Sequence, residues 1–121
     1  MLRQFRYLNQ RESLEFVGGG MKEGKTHEEM AREELLEEAG LIASQLIPLG
    51  WFNPMNGLSD EQCYVFLATG LQEATAIPEA SEEFEPVRLT LAEVDILIAR
   101  GEIWDGMTLA AYSLFRFRTR S

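Results

Sequence analysis

Cysteine and histidine each occur once in this chain, basic residues are few, and no stretch approaches about 18 uninterrupted apolar residues. Each shortage excludes something. A lone Cys63 cannot form an intrachain disulfide, so a reducing compartment is the simplest setting. It sits in the apolar run Cys63-Tyr64-Val65-Phe66-Leu67 and reads as a core residue rather than a nucleophile. Without a long apolar run there is no membrane-spanning helix, and Met1-Leu2-Arg3-Gln4-Phe5-Arg6 lacks the apolar core of a signal peptide, so a cytoplasmic location is expected. The 11 basic side chains face 20 acidic ones, a formal net charge of -9 that repels a nucleic-acid backbone or an anionic membrane surface. Neither is expected as a partner. Repeats, low-complexity tracts and long linkers are also missing, and 121 residues suffice for one core but not for two ordinary domains. A single domain over 1–121 follows.

What the chain has in quantity is acid, gathered in residues 23–38 and 79–85. Clustered carboxylates concentrate hard cations, though a charge run alone is also what a solvated surface looks like. Along the chain, Leu2–Leu8 alternates and, with Ser13–Val17, reads as two short strands joined by a polar turn. Gly18-Gly19-Gly20 then interrupts, leaving backbone that a ligand can approach without side-chain obstruction. Thr26 with Glu29 forms a capping box and Gly40 is a C-terminal stop, which predicts a helix between them. Leu41–Phe52 and Glu61–Thr69 read as extended segments, and Phe84–Leu89 as a short strand. A second capping box, Thr90 with Glu93, opens a helix through Arg100, and Asp105 caps a third from Gly106 to Phe117. Strands interleaved with helices predict an α/β fold, a mixed sheet with about three helices on its faces.

The helix bracketed by Thr26 and Gly40 carries the chemistry. At about 100° per residue, Ala31, Leu35 and Ala39 share a face suited to packing on the sheet, and Glu34, Glu37 and Glu38 share an adjoining arc. Three carboxylates so placed repel one another unless a cation stands among them. Oxygen-only ligation favours magnesium, manganese or calcium over zinc, since no thiolate is at hand and His27 lies at the start of the helix.

From Gly19 to Leu41 the chain reads GGMKEGKTHEEMAREELLEEAGL. This resembles the Nudix box: a glycine, a glutamate after five residues, arginine-glutamate after seven more, then apolar-x-Glu-Glu-x-Gly-apolar. Gly19, Glu34, Leu35, Glu37, Glu38, Gly40 and Leu41 fall in register. The resemblance implies a Nudix-type α/β/α sandwich and metal binding by Glu34, Glu37 and Glu38, with magnesium or manganese as the cofactor. It also implies a further metal or substrate contact from the backbone of Gly18 or Gly19, with Gly20 beside them. Two positions depart from the box. Lys25 stands where glutamate is expected and Glu33 where arginine is expected. Either an acid and a base have exchanged places and pair across the loop-helix junction, or two independent losses mark a weakened enzyme.

The flanks are similar to the ADP-ribose pyrophosphatase branch. Gln4-Phe5-Arg6-Tyr7, Leu14–Gly19, Pro54–Glu61 and Glu102–Thr108 resemble its corresponding segments in the same order. That branch implies a water-activating loop glutamate, which would be Glu82 or Glu83, and makes Arg6 a candidate for a phosphate or ribose contact. Trp51 and Phe52 are open to two readings, stacking on an adenine or filling the core. Relatives usually carry a strand pair, and often a small domain, ahead of the segment that opens this sequence. A sheet edge left uncovered by that difference implies a homodimer, with or without exchanged strands. The resemblance implies hydrolysis of a nucleoside diphosphate linked to a second group, such as ADP-ribose or an ADP-sugar. The alternative is a Nudix-fold module that binds a nucleotide or a protein without turnover.

Overall fold

The computed structural model describes residues 1–74 and 84–119. Two strands, β1 (Leu2–Arg6) and β2 (Arg11–Glu15), form an antiparallel hairpin in which Leu2 faces Glu15 and Arg6 faces Arg11. The turn between them closes through a hydrogen bond from the Gln10 N–H to the Tyr7 carbonyl, with Gln10 at φ 53°. A third strand, β5 (Glu85–Pro86), lies on the other side of β1, and the pairing extends to Met1 and Val87, which exchange hydrogen bonds of 2.7 and 2.8 Å. Strands β3 (Leu41–Phe52) and β4 (Cys63–Glu73) make a second, two-stranded sheet. The expected α/β fold with three helices is present, but the described ladders form two antiparallel sheets in place of one mixed sheet. β1–β2 and β3–β4 are each consecutive strands whose connection reverses the chain without a crossover, whereas β1 and β5 pair antiparallel although far apart in sequence.

Helix α1 (His27–Ala39) begins where the Thr26 hydroxyl accepts from the Glu29 N–H at 3.1 Å, and stops at Gly40, whose φ of 67° suits a left-handed cap. Helix α2 (Leu91–Ala99) opens on a complete capping box between Thr90 and Glu93. Helix α3 (Gly106–Arg118) is capped by Asp105. Strand β3 runs as the sequence predicts; β4 extends to Glu73, beyond the expected Thr69, and only two residues of the expected Phe84–Leu89 strand pair.

The hairpin separates two packed regions. On β2 the side chain of Leu14 joins Val94, Ile103 and Tyr112, the buried cluster between the sheet, α2 and α3. Ser13 and Glu15 alternate onto the opposite face and are buried there with Leu2. Helix α1 lies against β3, β4 and β5, and Arg32 secures it with a 2.7 Å hydrogen bond to the Ala43 carbonyl. His27 stacks on Tyr64 of β4 with ring centroids 3.8 Å apart. The residue of α1 that is buried is Met30, at 4% exposure; the expected Ala31, Leu35 and Ala39 are only half-buried. Strand β3 is bulged between Pro48 and Gly50, and a Cβ added to Gly50, at φ 123°, would meet Leu114 of α3 at ordinary van der Waals distance, 3.8 Å. A side chain there would strain the backbone through its positive φ, so glycine suits the bulge.

Candidate functional site

Met30, Glu34 and Glu38 succeed one another every four residues, so each is turned only about 40° from the last and the three form one stripe of α1. The stripe is buried at Met30, and its two carboxylates are half-buried positions that a helix ordinarily gives to apolar side chains. Burial pushes the Glu38 carboxyl up to about 7, assisted by Glu34, Glu15 and Glu37, and the Gly18 N–H opposes this by donating to Glu38 Oε1 at 3.2 Å. Burial likewise raises Glu34, with Glu37 adding to it and Lys22 opposing. Glu37 is exposed. Among the described residues no three acidic or imidazole groups are gathered closely enough to form a finished metal cage. Sequence periodicity places all three glutamates on one arc; the fold adds that Glu34 and Glu38 turn toward the glycine loop while Glu37 faces out. Like charges keep such groups apart unless a cation draws them together.

The loop is fitted to this stripe. A Cβ added to Gly19 would stand 2.5 Å from Glu34 Cδ and Oε1, whereas Gly18 and Gly20 face open space. Of the three glycines, Gly19 is the one at which an added side chain would displace Glu34 from its present position. At the far end of the loop, the Lys25 ammonium hydrogen-bonds Glu33 Oε2, and Lys22 lies 3.5 Å from Glu33 Oε1. The expected exchange of acid and base across the junction is therefore present as an ion pair. Glu33 is lowered by its hydrogen bond from Lys25, and Lys25 is raised by the same bond.

Arg6 is less free than the sequence suggests. Its Nε and Nη2 donate to the two oxygens of buried Glu15 at 2.8 and 2.5 Å, so most of its fork is committed within the hairpin. Burial alone would raise Glu15, but the hydrogen bonds and charge of Arg6 outweigh it and leave the carboxyl lowered. The pKa of the guanidinium is raised by its hydrogen bond to Glu15, with the charges of Glu15, Asp105 and Glu38 adding to it. Asp105 Oδ2 accepts from the Thr108 N–H at 3.0 Å and from its hydroxyl at 2.7 Å, and Thr108 Oγ1 accepts from the Phe16 N–H at 3.2 Å. This chain of bonds holds the entry to the glycine loop against α3. Asp105 also lines a cleft of about 420 Å³ with Phe52, Asn53, Pro54, Met55, Glu61, Gly106, Met107 and Ala110. Phe52 thus faces the cleft, while Trp51 is half-exposed and is not part of its lining. Glu82 and Glu83 lie outside the described residues.

The sequence pattern of the NUDIX domain matches residues 1–112. The chain belongs to the Nudix family. Its Nudix domain is 30% identical over 120 residues to an ADP-ribose pyrophosphatase of Bacillus subtilis, covering 98% of this chain and 65% of that protein. To an ADP-ribose pyrophosphatase of Mycobacterium tuberculosis it is 34% identical over 114 residues, covering 91% of this chain and 55% of the other. The chain thus spans less than two thirds of the length of either relative. Its fold matches the crystal structure of an ADP compounds hydrolase with a TM-score of 0.82 at 23% identity, over 95% of this chain and 62% of that one.

For a Nudix domain the donor set suits a hard divalent cation: it offers oxygen atoms only, and burial, with neighbouring carboxylates adding to it, raises the pKa of Glu34 and Glu38. Glu34, Glu37 and Glu38 could hold it, with backbone from Gly18 or Gly19. Sequence reasoning missed Glu15 and Thr108. Glu15 carried a signal, an acid alternating with Ser13 on one strand face, and a buried acid requires a partner. Thr108 follows its cap Asp105 by three residues, but nothing in that spacing foretells the bond to Phe16.

Proposed function

We propose that this domain hydrolyses the diphosphate linkage of a nucleoside diphosphate joined to a second group, ADP-ribose or an ADP-sugar-like compound, releasing AMP and a sugar phosphate from the former. The observation that carries this is the pair Glu34 and Glu38, half-buried on the α1 stripe and held against the Gly18–Gly19 backbone. A magnesium or manganese ion bound there supplies neutralisation of phosphate charge and activation of water.

The chain's own residues divide the remaining work. Glu34, Glu37 and Glu38 hold the cation, and Gly19 leaves room for Glu34 to do so. Glu82 or Glu83 takes the proton of the attacking water. Arg6, fixed by Glu15, offers its remaining N–H edge to a phosphate or ribose oxygen. The cleft bounded by Phe52, Pro54 and Met107 accepts the base, where an aromatic face and apolar walls favour a purine. The names of the two curated relatives support the ADP-ribose reading. The Lys25–Glu33 pair weighs against the alternative of a binding module, because the two departures that suggested it face each other as an ion pair. No described helix is long and apolar enough to cross a membrane. We further propose a cytoplasmic domain, and a homodimer on the strength of the apolar side chains it leaves exposed.

The test is a panel of ADP-ribose, ADP-glucose and other nucleoside-diphosphate compounds assayed with magnesium or manganese. Glu38→Gln should lose turnover on the order of a hundredfold. Unchanged turnover in Glu34→Gln, Glu37→Gln and Glu38→Gln would remove the proposed site, and no turnover of any compound by wild type would leave a binding module.

A further inference from the structure

Residues 22–25 form a tight turn. The Lys25 N–H donates to the Lys22 carbonyl at 3.2 Å, and Gly24, third of the four, has φ 82°. That is the position where a type II turn demands a positive φ. The turn brings its first and last residues together, and both are lysines that reach the same carboxylate, Lys22 to Oε1 and Lys25 to Oε2 of Glu33. Glu33 directly precedes Glu34 on α1, and Glu34 is the side chain that lies against Gly19 at the opposite end of the loop. The glycine loop is thus fastened at two places: by the Gly18 N–H to Glu38, and by the paired lysines to Glu33.

We infer that Lys22 and Lys25 are a redundant pair of positioning residues that clamp the turn onto Glu33 and so keep Gly19 registered against Glu34. The inference rests on Glu34 being a ligand of the proposed cation only for its effect on metal affinity; the clamping of the loop stands without it. Exposed ion pairs contribute little to global stability, so the clamp acts on the position of the loop and not on whether the domain folds. Redundancy is what separates this arrangement from a single salt bridge. Either lysine alone still has Glu33 to hold, whereas removing Glu33, or both lysines, frees the turn.

The variants are Lys22→Ala, Lys25→Ala, the double Lys22→Ala/Lys25→Ala and Glu33→Gln, and the probes are manganese binding by electron paramagnetic resonance and amide hydrogen exchange over Gly18–Lys25. Either single lysine variant should change manganese affinity by less than about threefold, while the double variant and Glu33→Gln each weaken it about tenfold or more, the size expected when a ligand loses its support. The Gly18 and Lys25 amides should exchange about tenfold faster in those same two variants, with unfolding midpoints near wild type in all four. A double variant indistinguishable from wild type, or single variants as damaging as the double, would overturn the clamp. If wild type binds no manganese, the proposed metal site fails, and amide exchange alone then decides the clamp by the same comparison.

Discussion

Glu38 is the residue whose ionisation the fold most opposes. Its pKa stands at about 7 in the native state against an ordinary value of 4.5, so in metal-free protein the native state binds a proton that the unfolded state has released between those values. Stability attributable to this group is present below about pH 4.5, falls as pH rises, and is lost above about 7. The unfolding midpoint of metal-free protein should therefore respond to Glu38→Gln, rising relative to wild type at pH 8 and much less at pH 4.5. Equal effects at the two pH values would mean that Glu38 is not strained by its charge. Metal binding should show the complement: affinity climbs from pH 5.5 to 7.5, and calorimetry in two buffers of different ionisation enthalpy near pH 6.5 registers proton release. Gly19→Ala tests the other side of the contact. The added Cβ meets the end of a flexible glutamate and no backbone, so Glu34 can swing away at small cost to folding. Stability within about 0.5 kcal/mol of wild type, with metal affinity down about tenfold, is the expected outcome; Gly20→Ala, facing open space, should change neither.

At the scale of elements, the β1–β2 hairpin positions the site through one ion pair. Glu15 is buried at 6% exposure and receives both oxygens' worth of hydrogen bonding from Arg6, so Arg6→Ala leaves a buried carboxylate alone. Breaking a fully buried pair costs about 3–5 kcal/mol, and because half of the Arg6 side chain meets water, about 1–3 kcal/mol is expected here by urea unfolding. Arg6→Ala combined with Glu15→Gln should recover part of it, and strict additivity of the two would dissolve the pairing. Helices were the most legible elements in the sequence because their ends are written in single residues: Thr26, Gly40, Thr90, Glu93 and Asp105 all cap as their types demand. Strand lengths were less legible. β4 continues past Thr69 through Gly70-Leu71-Gln72-Glu73 because β3 lies opposite to pair with it, a long-range fact that propensity does not contain. The site was half legible. Spacing put Glu34, Glu37 and Glu38 on one arc, but which of them turns inward depends on Met30 being the buried contact, and the face chosen from Ala31, Leu35 and Ala39 missed that by about 100°.

For the whole molecule, the amount of apolar surface left in water is the quantity to explain. The accessible surface is 8576 Å², where a compact monomer of this mass exposes about 6,600 Å². The hairpin tip holds Phe5 at 52%, Tyr7 at 81% and Leu8 at 99% exposure, and along the two-stranded β3–β4 sheet Ile42, Ile47, Trp51, Tyr64 and Leu71 are each between 42% and 52% exposed. Two strands alone make a marginal sheet, and unpaired edges invite a second chain. The excess, about 2,000 Å² against that scaling, is more than twice the roughly 800 Å² that a standard interface removes from each partner. A homodimer is therefore the expected solution state, seen as a single species near twice 13.7 kDa in sedimentation at tens of micromolar. Tyr7 and Leu8 separate the hairpin from the ribbon as the contact: Tyr7→Glu/Leu8→Glu should yield monomer if the tip is buried in the dimer, and leave the dimer intact if the β3–β4 sheet is the contact. A wild-type monomer at those concentrations would mean that the exposed apolar side chains serve some partner other than a second copy of this chain.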